Sequence, residues 1–253
     1  MPAHNPVVAE SIIAHRGAPR FAPENTLPSM VAAARRGARW VEVDVKLTSD
    51  MKPVIIHDDT VDRTTNGKGL VAGLTFEQVR RLDAGIKFGP EFAGTKVPTL
   101  EELIECVLDL DIGLQLELKP TAGDDIETAQ VALDVLKALW PAGRKNLFIT
   151  SFSIRSLHAA RAILPDVPRA FAVVVPPRDP AALLEETGCQ ILHCLSDLHT
   201  EESLRILADS GIEHAVAVIN DPAQAHHFLA AGAQSILTDI PDLLEVGDKA
   251  VGA

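Results

Sequence analysis

Short apolar runs alternate with amphipathic stretches along almost the whole chain of 253 residues, and this alternation limits the possible folds more than any other feature. The apolar runs long enough for a strand cover residues 11–15, 40–47, 113–119, 146–151, 169–175, 190–195, 214–219 and 235–238. The stretches with a helical period cover residues 25–36, 99–108, 124–139, 153–163, 180–186, 201–209 and 222–231. Eight such strands alternating with seven helical stretches in about 250 residues predict a (β/α)8 barrel, with a doubly wound sheet as the alternative.

Local signals mark where several of these helices begin and end. Thr99 and Glu102 have the spacing of a capping box, and Asp221 precedes a proline at the first helical position. Glycines follow four of the helices at points where the chain must leave the helical conformation: Gly37, Gly188, Gly211 and Gly232. These signals support the boundaries given above.

One interval after the second barrel strand interrupts the alternation. Residues 58–98 separate a strand-like run at 53–57 from the next barrel helix, far more than the roughly two to six residues of an ordinary βα loop. Within it, Asn66-Gly67 is typical of a turn, and Thr75 with Gln78 predicts a short capped helix that runs to Leu82. We therefore predict one (β/α)8 barrel domain over residues 1–253, with a small cap inserted at residues 58–98 over one barrel end.

The charge balance limits the possible partners. The chain carries 23 basic and 35 acidic residues, a net charge of −12, which argues against binding nucleic acid or an anionic membrane by bulk attraction. No run approaches the roughly 18 apolar residues of a membrane span, and residues 1–13 lack the basic and apolar regions of a signal peptide. We therefore expect a cytoplasmic protein without stable membrane insertion.

The three cysteines, Cys106, Cys189 and Cys194, form neither a CxxC pair nor an even set. Two of them flank His193, an arrangement that could indicate zinc. Their apolar neighbours favour a buried strand instead, since free cysteine is commonly a core residue.

Acidic residues alternate with apolar ones in two neighbouring strands. In residues 40–47 a period of two places Glu42, Asp44 and Lys46 on one face, and in 113–119 it places Gln115, Glu117 and Lys119 there. The opposite, aliphatic face would pack against helices, so three carboxylates point into the barrel. Buried carboxylates without a counter-charge are costly, and a hard cation (Mg²⁺, Ca²⁺ or Mn²⁺) would compensate them. A salt-bridge network with Lys46, Lys119 and Arg16 is the alternative, and strand periodicity favours the two equally.

Two histidines follow apolar strands at the same barrel end. The first strand ends in His15-Arg16-Gly17, and the strand-like run at 53–57 ends in His57-Asp58. Histidine suits proton transfer near neutral pH, and arginine suits a phosphate or carboxylate. A cation site beside these groups is suited to binding a phosphate ester and transferring protons.

The chain resembles the glycerophosphodiester phosphodiesterase family in a series of ordered motifs. They are His15-Arg16-Gly17, Pro23-Glu24-Asn25-Thr26, Glu42-Val43-Asp44-Val45, His57-Asp58, Arg63-Thr64-Thr65-Asn66-Gly67, Glu117-Leu118-Lys119 and Leu237-Thr238-Asp239-Ile240-Pro241. The resemblance spans residues 12–241. It implies a TIM barrel with a small insertion and metal-dependent hydrolysis of a small-molecule glycerophosphodiester to glycerol 3-phosphate and an alcohol.

The resemblance also implies roles for individual residues. It implies metal ligands at Glu42, Asp44 and Glu117, and a catalytic acid and base at His15 and His57. It further implies a phosphate contact at Arg16, a phosphate or substrate contact at Lys119, and a position near the metal for Asn25. From the sequence itself, Arg63 either braces the insertion or reaches the substrate, and we interpret Asp239 as a helix cap rather than a chemical group.

One motif departs from the family pattern. Residues 217–220 read Ala-Val-Ile-Asn, where family members often carry Trp-Thr-Val-Asn with the tryptophan lining the site. We therefore expect a wider or differently shaped alcohol pocket, and a bulkier phosphodiester, as in a lysophospholipase D-like enzyme, is an alternative substrate.

Two further classes are less favoured. A barrel lyase acting on a phosphorylated sugar often binds phosphate through glycine-rich loops after the last two strands, but here those loops, at residues 220–222 and 238–241, contain no glycine. An inactive binding module would not require the intact set of charged residues and histidines described above.

Overall fold

The computed structural model describes residues 6–245, and its parallel strands close into a barrel. The strands are β1 (Ile12–His15), β2 (Trp40–Leu47), β3 (Pro53–Ile55), β4 (Gly113–Leu118), β5 (Leu147–Ser151), β6 (Arg169–Val173), β7 (Ile191–Leu195), β8 (Glu213–Ala217) and β9 (Ser235–Thr238). The helices are α1 (Leu27–Arg35), α2 (Phe76–Arg81), α3 (Leu100–Asp109), α4 (Asp125–Leu139), α5 (Ile154–Ile163), α6 (Pro180–Thr187), α7 (Glu201–Ser210) and α8 (Pro222–Ala230).

The sheet closes because β1 pairs with both β2 and β9. The eight parallel strands follow the order β1, β2, β4, β5, β6, β7, β8, β9, and β3 adds to β2 in the antiparallel direction. The predicted TIM barrel is confirmed, and the doubly wound sheet is wrong because such a sheet stays open.

Side chains alternate between two cores. The outward-facing Val41, Val43 and Val45 belong to the core between strands and helices, while Trp40 belongs to a separate cluster with Phe148 inside the barrel. Trp40 and Phe148 pack with their ring centres 5.5 Å apart. This aromatic and aliphatic packing fills part of the interior, so the polar residues occupy the end formed by the carboxyl ends of the strands.

Most predicted helix boundaries agree with the structure. Both capping boxes form, at Thr99 and Thr75, and Asp221 accepts a hydrogen bond from Gln224 N. Gly188 and Gly211 end their helices with φ of +68° and +67°, as their lack of a side chain allows.

Four boundaries were off by two residues. The strand-like run predicted over 53–57 stops at Ile55, and the strand predicted over 214–219 stops at Ala217. The helix predicted from residue 25 begins at Leu27, because Asn25 has a φ of +56° that no right-handed helix accommodates. The strand predicted over 169–175 ends at Val173, and Val174 and Val175 are exposed. Apolar character indicated a strand there, but it does not distinguish a buried strand from an exposed apolar loop.

The segment between β3 and α3 has its own small core. It contains 3₁₀ turns at Val71–Gly73 and Pro90–Phe92 together with α2, and it buries Val61, Val71 and Val79. The backbone N–H of Asn66 donates to Asp83 O, and its side-chain oxygen accepts from Asp83 N. The domain predicted over residues 1–253 extends at both ends beyond the described residues, and within residues 6–245 no helix is long and apolar enough to cross a membrane.

Candidate active site

Strand register brings the predicted acidic residues together at the carboxyl end of the barrel. His15 pairs with Glu42 across β1 and β2, and Asp44 pairs with Glu117 across β2 and β4. One carboxylate oxygen from each of Glu42, Asp44 and Glu117 lies within 4.8 Å of the others, and all three residues are buried. In the part of the chain that the structure describes, this is the one group of three or more acidic, histidine or cysteine side chains spaced to hold a metal ion.

The three carboxylates differ in their electrostatic surroundings. Burial, together with the charges of Asp44 and Glu117, holds the pKa of Glu42 well above its usual range. Burial and the charge of Asp44 also raise the pKa of Glu117. Burial opposes ionisation of Asp44, but Lys119 and Arg16 outweigh it and hold its pKa below the usual value. Without a cation, burial and the charges of Asp44 and Glu117 therefore oppose ionisation of Glu42.

The predicted salt-bridge alternative satisfies only part of this cluster. Lys119 Nζ lies 2.8 Å from Glu117 Oε1 and 3.3 Å from Asp44 Oδ1. Glu42 Oε2 accepts from Arg16 N at 2.9 Å, but its Oε1 is buried and has no hydrogen-bond partner among residues 6–245. Lys46 instead pairs with Asp59 at 2.6 Å. An all-oxygen cluster with one unpartnered carboxylate oxygen fits a hard divalent cation.

The turn after β1 orders the groups around Asp44. Arg16 has a φ of +53°, and its Nε lies 3.4 Å from Asp44 Oδ2. Asn25 donates from Nδ2 to the same oxygen at 2.8 Å, which explains its irregular backbone before α1. Gly17 follows with a φ of +87°, and a Cβ there would lie 2.5 Å from Ser29 Oγ, so only glycine fits.

Each predicted catalytic histidine is held through Nδ1 by a carboxylate. His15 Nδ1 lies 2.8 Å from Asp239 Oδ1, and Asn220 Nδ2 donates to the other oxygen of Asp239 at 2.7 Å. His57 Nδ1 lies 2.7 Å from Asp58 Oδ1. Both rings line the same cavity, so Nε2 is the nitrogen left to exchange a proton with a bound molecule. Burial, with a contribution from Arg16, lowers the pKa of His57.

The interpretation of Asp239 as a helix cap was wrong. Its side chain accepts from His15 and Asn220, because the end of β9 lies beside the end of β1 in the closed barrel. A signal was available in the sequence: Asp239 directly follows an apolar strand, as Arg16 and Asp58 follow theirs.

Arg63 connects the inserted segment to the β1–α1 loop. Its Nε donates to Asp58 Oδ2 at 2.7 Å, and Nη1 and Nη2 donate to the two oxygens of Glu24 at 2.6 and 2.8 Å. Glu24 also accepts from Arg16 Nη1 at 2.9 Å. The hydrogen bonds from Arg63 hold the pKa of Asp58 well below its usual value. The sequence left two roles for Arg63, bracing the insertion or reaching the substrate. These contacts match the first role.

These side chains border a cavity of about 190 Å³ at the carboxyl end of the barrel. Its charged side includes His15, Arg16, Asp44, His57, Glu117 and Lys119. Its other side includes Phe152, Ala172, Leu195, Ala217, Val218 and Leu237, with Gln115, Thr150 and His193 among the remaining lining residues. Sequence reasoning missed Thr150 and Ala172, although Thr150 pairs with Glu117 in the register and so lies in line with the acidic cluster.

The cysteines agree with the buried interpretation. Cys189 and Cys194 are 6% and 1% exposed, and burial raises the pKa of the Cys194 thiol to about 12. Such burial is typical of core cysteines, and within the described residues neither belongs to a group spaced to hold a metal ion.

The fold and the site together define a (β/α)8-barrel enzyme with an acidic cluster and two histidines at the catalytic end of the barrel. Residues 15–243 match the family described as the Glycerophosphoryl diester phosphodiesterase family, and the chain belongs to this family. The predicted family and enzyme class, a phosphoric diester hydrolase, are thereby confirmed.

Known proteins resemble the chain over nearly its whole length. A glycerophosphodiester phosphodiesterase of Caldanaerobacter subterraneus is 32% identical over 234 residues, which cover 92% of this chain and 95% of that protein. A phosphodiesterase of Oleispira antarctica, solved with the product sn-glycerol-3-phosphate, is 34% identical with a TM-score of 0.90, covering 97% and 98% of the two chains. A glycerophosphodiester phosphodiesterase of Agrobacterium tumefaciens is 28% identical with a TM-score of 0.73, covering 92% and 97%.

Proposed function

We propose that the protein hydrolyses glycerophosphodiesters to glycerol 3-phosphate and an alcohol, with a divalent cation as cofactor and His15 and His57 as general acid and base. The observation that carries the proposal is the juxtaposition of the three carboxylates and both histidines around one cavity. The product complex of the Oleispira antarctica phosphodiesterase supports glycerol 3-phosphate as the product.

Glu42, Asp44 and Glu117 would hold the cation, and Mg²⁺, Ca²⁺ or Mn²⁺ suits their oxygen atoms. Asn25 would orient Asp44 through its 2.8 Å hydrogen bond. When bound, the ion would offset negative charge on the phosphate oxygens. In a chain with a net charge of −12, such a local positive centre is needed to attract a phosphodiester anion.

Arg16 and Lys119 would contact the phosphate. Both line the cavity, and both already lie beside Asp44, so they are held in place before the substrate binds. Arginine presents a planar fork that matches two phosphate oxygens, whereas lysine acts as a point charge.

The two histidines would divide the proton transfers. Nε2 of one would take the proton of the attacking hydroxyl or water, and Nε2 of the other would give a proton to the departing alkoxide. Asp239 and Asp58 would keep each ring in the tautomer and orientation that presents Nε2 to the cavity. Arg63 would act through Asp58 and Glu24 and not by touching substrate.

A chelation experiment tests this function directly. The enzyme is treated with excess chelator, and release of choline and glycerol 3-phosphate from glycerophosphocholine is measured before and after adding Mg²⁺ or Ca²⁺. We expect activity to disappear with the chelator and to return with the ion. Full activity in excess chelator would contradict the cofactor, and absence of both products under all conditions would contradict the substrate.

A second candidate substrate is a bulkier, acyl-bearing phosphodiester. Loops that follow three of the strands expose apolar side chains: Phe152 after β5 (42% exposed), Val174 after β6 (50%) and Leu198 after β7 (50%). Of these, Phe152 lines the cavity. Ala217 leaves additional room in the wall. Choline release from lysophosphatidylcholine and from glycerophosphocholine at equal submicellar concentration distinguishes the two, and a higher kcat/KM for the lysolipid would favour this candidate.

The proposed partner is thus a small-molecule phosphodiester. The net charge argues against a nucleic acid as partner. A cytoplasmic location stays a prediction from the sequence.

A further inference from the structure

Three buried polar side chains lie together in the lining of the cavity, and the mechanism above uses none of them. Gln115 lies on β4, Thr150 on β5 and His193 on β7, and they are 1%, 1% and 5% exposed. Gln115 Nε2 and His193 Nδ1 are 3.3 Å apart, which joins two of them across the barrel. We call these three residues the polar floor. Gln115 lies one inward-facing position before Glu117 on β4, and Thr150 on β5 pairs with Glu117.

Each residue of the polar floor has an unused hydrogen-bonding atom. Gln115 Oε1, Thr150 Oγ1 and His193 Nε2 are buried, and no partner for them exists within residues 6–245. Buried polar atoms are nearly always paired in folded proteins, so three unpaired atoms around a single cavity indicate a binding partner. The cavity of about 190 Å³ far exceeds the roughly 10–15 Å³ needed for one water molecule, so it has room for part of a substrate.

The polar floor is neutral, unlike the acidic cluster beside it. Glutamine and threonine carry no charge, and burial lowers the pKa of His193 to about 3, so its ring is neutral at physiological pH. The ring of Phe148 packs edge-on against His193 at 5.7 Å. Neither a phosphate nor a cationic head group would find a counter-charge here, whereas a hydroxyl group needs none.

The unpartnered atoms of the polar floor include both hydrogen-bond donors and acceptors, as a bound hydroxyl group requires. With Gln115 Nε2 donating to His193 Nδ1, the histidine presents N–H at Nε2 and the glutamine presents an acceptor at Oε1. If the amide were turned over, the donor and acceptor would exchange places, and the pair would still offer one of each. Thr150 Oγ1 adds a group that can donate or accept.

We propose that Gln115, Thr150 and His193 bind a hydroxyl group of the glycerol moiety and so select the glycerol side of the substrate. The proposal rests on the proposed function and adds to it the residues that recognise the alcohol bound deepest in the barrel. The phosphate would remain with Arg16 and Lys119, and the departing alcohol would face the apolar side of the cavity at Phe152.

Binding of two phosphate monoesters tests the polar floor without requiring turnover. With Mg²⁺ present, calorimetry compares sn-glycerol 3-phosphate with ethyl phosphate, which carries the same phosphate but no hydroxyl groups. We expect the wild type to bind glycerol 3-phosphate about fivefold to hundredfold more tightly, the range that one or two hydrogen bonds to buried groups supply. Thr150→Val and Gln115→Leu should each reduce this ratio about fivefold or more while leaving ethyl phosphate binding within twofold.

Thr128→Val is the matched control. Thr128 lies on α4, is 1% exposed and also has a buried hydroxyl without a partner in the described chain, but it does not line the cavity. The same chemical change at this site should leave both affinities unchanged. Thermal melts of all three variants confirm that each binding measurement is made on folded protein.

The outcomes separate failure of this proposal from failure of the proposed function. A wild type that binds both ligands equally, or variants that weaken both ligands to the same extent, would overturn the role of the polar floor. If glycerophosphocholine is not hydrolysed but the ratio falls in Thr150→Val and Gln115→Leu, the proposed function fails while the hydroxyl site stands.

Discussion

Strands β1, β2 and β4 end around the cavity in charged side chains, whereas β6, β7 and β8 border the same cavity with small, apolar or neutral ones. Asp44, Glu117 and Lys119 represent the first half, and Ala172, His193 and Ala217 the second. All eight strands have the same architecture, so the difference arises only from the side chains that alternate inward. Under the proposed function, the charged half would carry the reaction at phosphorus, and the neutral half would decide which alcohol is accepted.

The two halves also differ in how they are stabilised. Charged residues near the acidic cluster hold one another in pairs, yet Glu42 keeps an unpartnered oxygen and a raised pKa. An unpartnered buried oxygen and a perturbed pKa are typical of a site that a ligand completes. The neutral half packs Phe148 against His193 and requires that histidine to stay uncharged.

Glu42→Gln should give the largest effect in the charged half. Losing one charged ligand should lower kcat/KM about 10⁴-fold, since a bound cation contributes several kcal/mol to transition-state stabilisation. In metal-free protein the same change should raise the free energy of unfolding by about 1–2 kcal/mol, because it removes a buried charge repelled by Asp44 and Glu117. Turnover with Mg²⁺ and urea unfolding with chelator measure the two effects.

Glu127→Gln is the control for this prediction, because it makes the same change at an exposed position of α4 and should alter neither quantity. A Glu42→Gln protein that keeps its activity but loses about 3–5 kcal/mol of stability would instead indicate a structural salt bridge.

His15→Gln and His57→Gln should each lower kcat about 10²- to 10⁴-fold, because each removes a group that transfers a proton in the reaction. Glutamine keeps a polar side chain of similar reach, so folding should be preserved. Steady-state kinetics on glycerophosphocholine measure the loss, with His158→Gln on the exposed face of α5 as the control. Near-normal turnover in either variant would remove that histidine from the mechanism.

Asp239→Asn should lower kcat by up to about 10²-fold through His15. The amide oxygen can still accept from Nδ1, but it cannot stabilise the positive charge that the ring acquires when it takes a proton. KM should change little in steady-state kinetics, since Asp239 is positioned behind the histidine. A rise in KM with unchanged kcat would instead place Asp239 in substrate binding.

The chemistry of the charged half could be predicted from sequence because its signals are local. Period-two alternation in β2 and β4 is sufficient to predict that Glu42, Asp44 and Glu117 share the inner face, and strand ends indicate where His15 and His57 lie. Asn25 was misplaced in a helix, because an amphipathic pattern does not show where the backbone turns to a φ of +56°. The partner of Asp239 lies 224 residues away in sequence, so only closure of the barrel reveals the contact.

The neutral half could not be predicted in the same way. Alanine and leucine carry no chemical signature, and Ala172 matters only because it borders a cavity. His193 was correctly taken as a buried residue, but its unpaired nitrogen can be recognised only once its neighbours on β4 and β5 are known. A cavity is a property of several strands together, so no single segment of sequence encodes it.

His193→Gln should reduce the acid sensitivity of the fold. His193 has an ordinary pKa of 6.5 when unfolded and one of about 3 when folded, so between these values the unfolded state binds the proton and the folded state does not. The contribution of His193 to the free energy of unfolding is therefore fully present above about pH 6.5 and declines as the pH falls towards 3. Between pH 7 and pH 5, protonation of His193 should lower the free energy of unfolding of the wild type by about 2 kcal/mol. In His193→Gln the decrease between these pH values should be about 2 kcal/mol smaller, as measured by urea unfolding at each pH. An equally steep loss in the variant would mean that His193 is already protonated in the folded protein, and the contrast between a charged and a neutral half of the barrel would no longer hold.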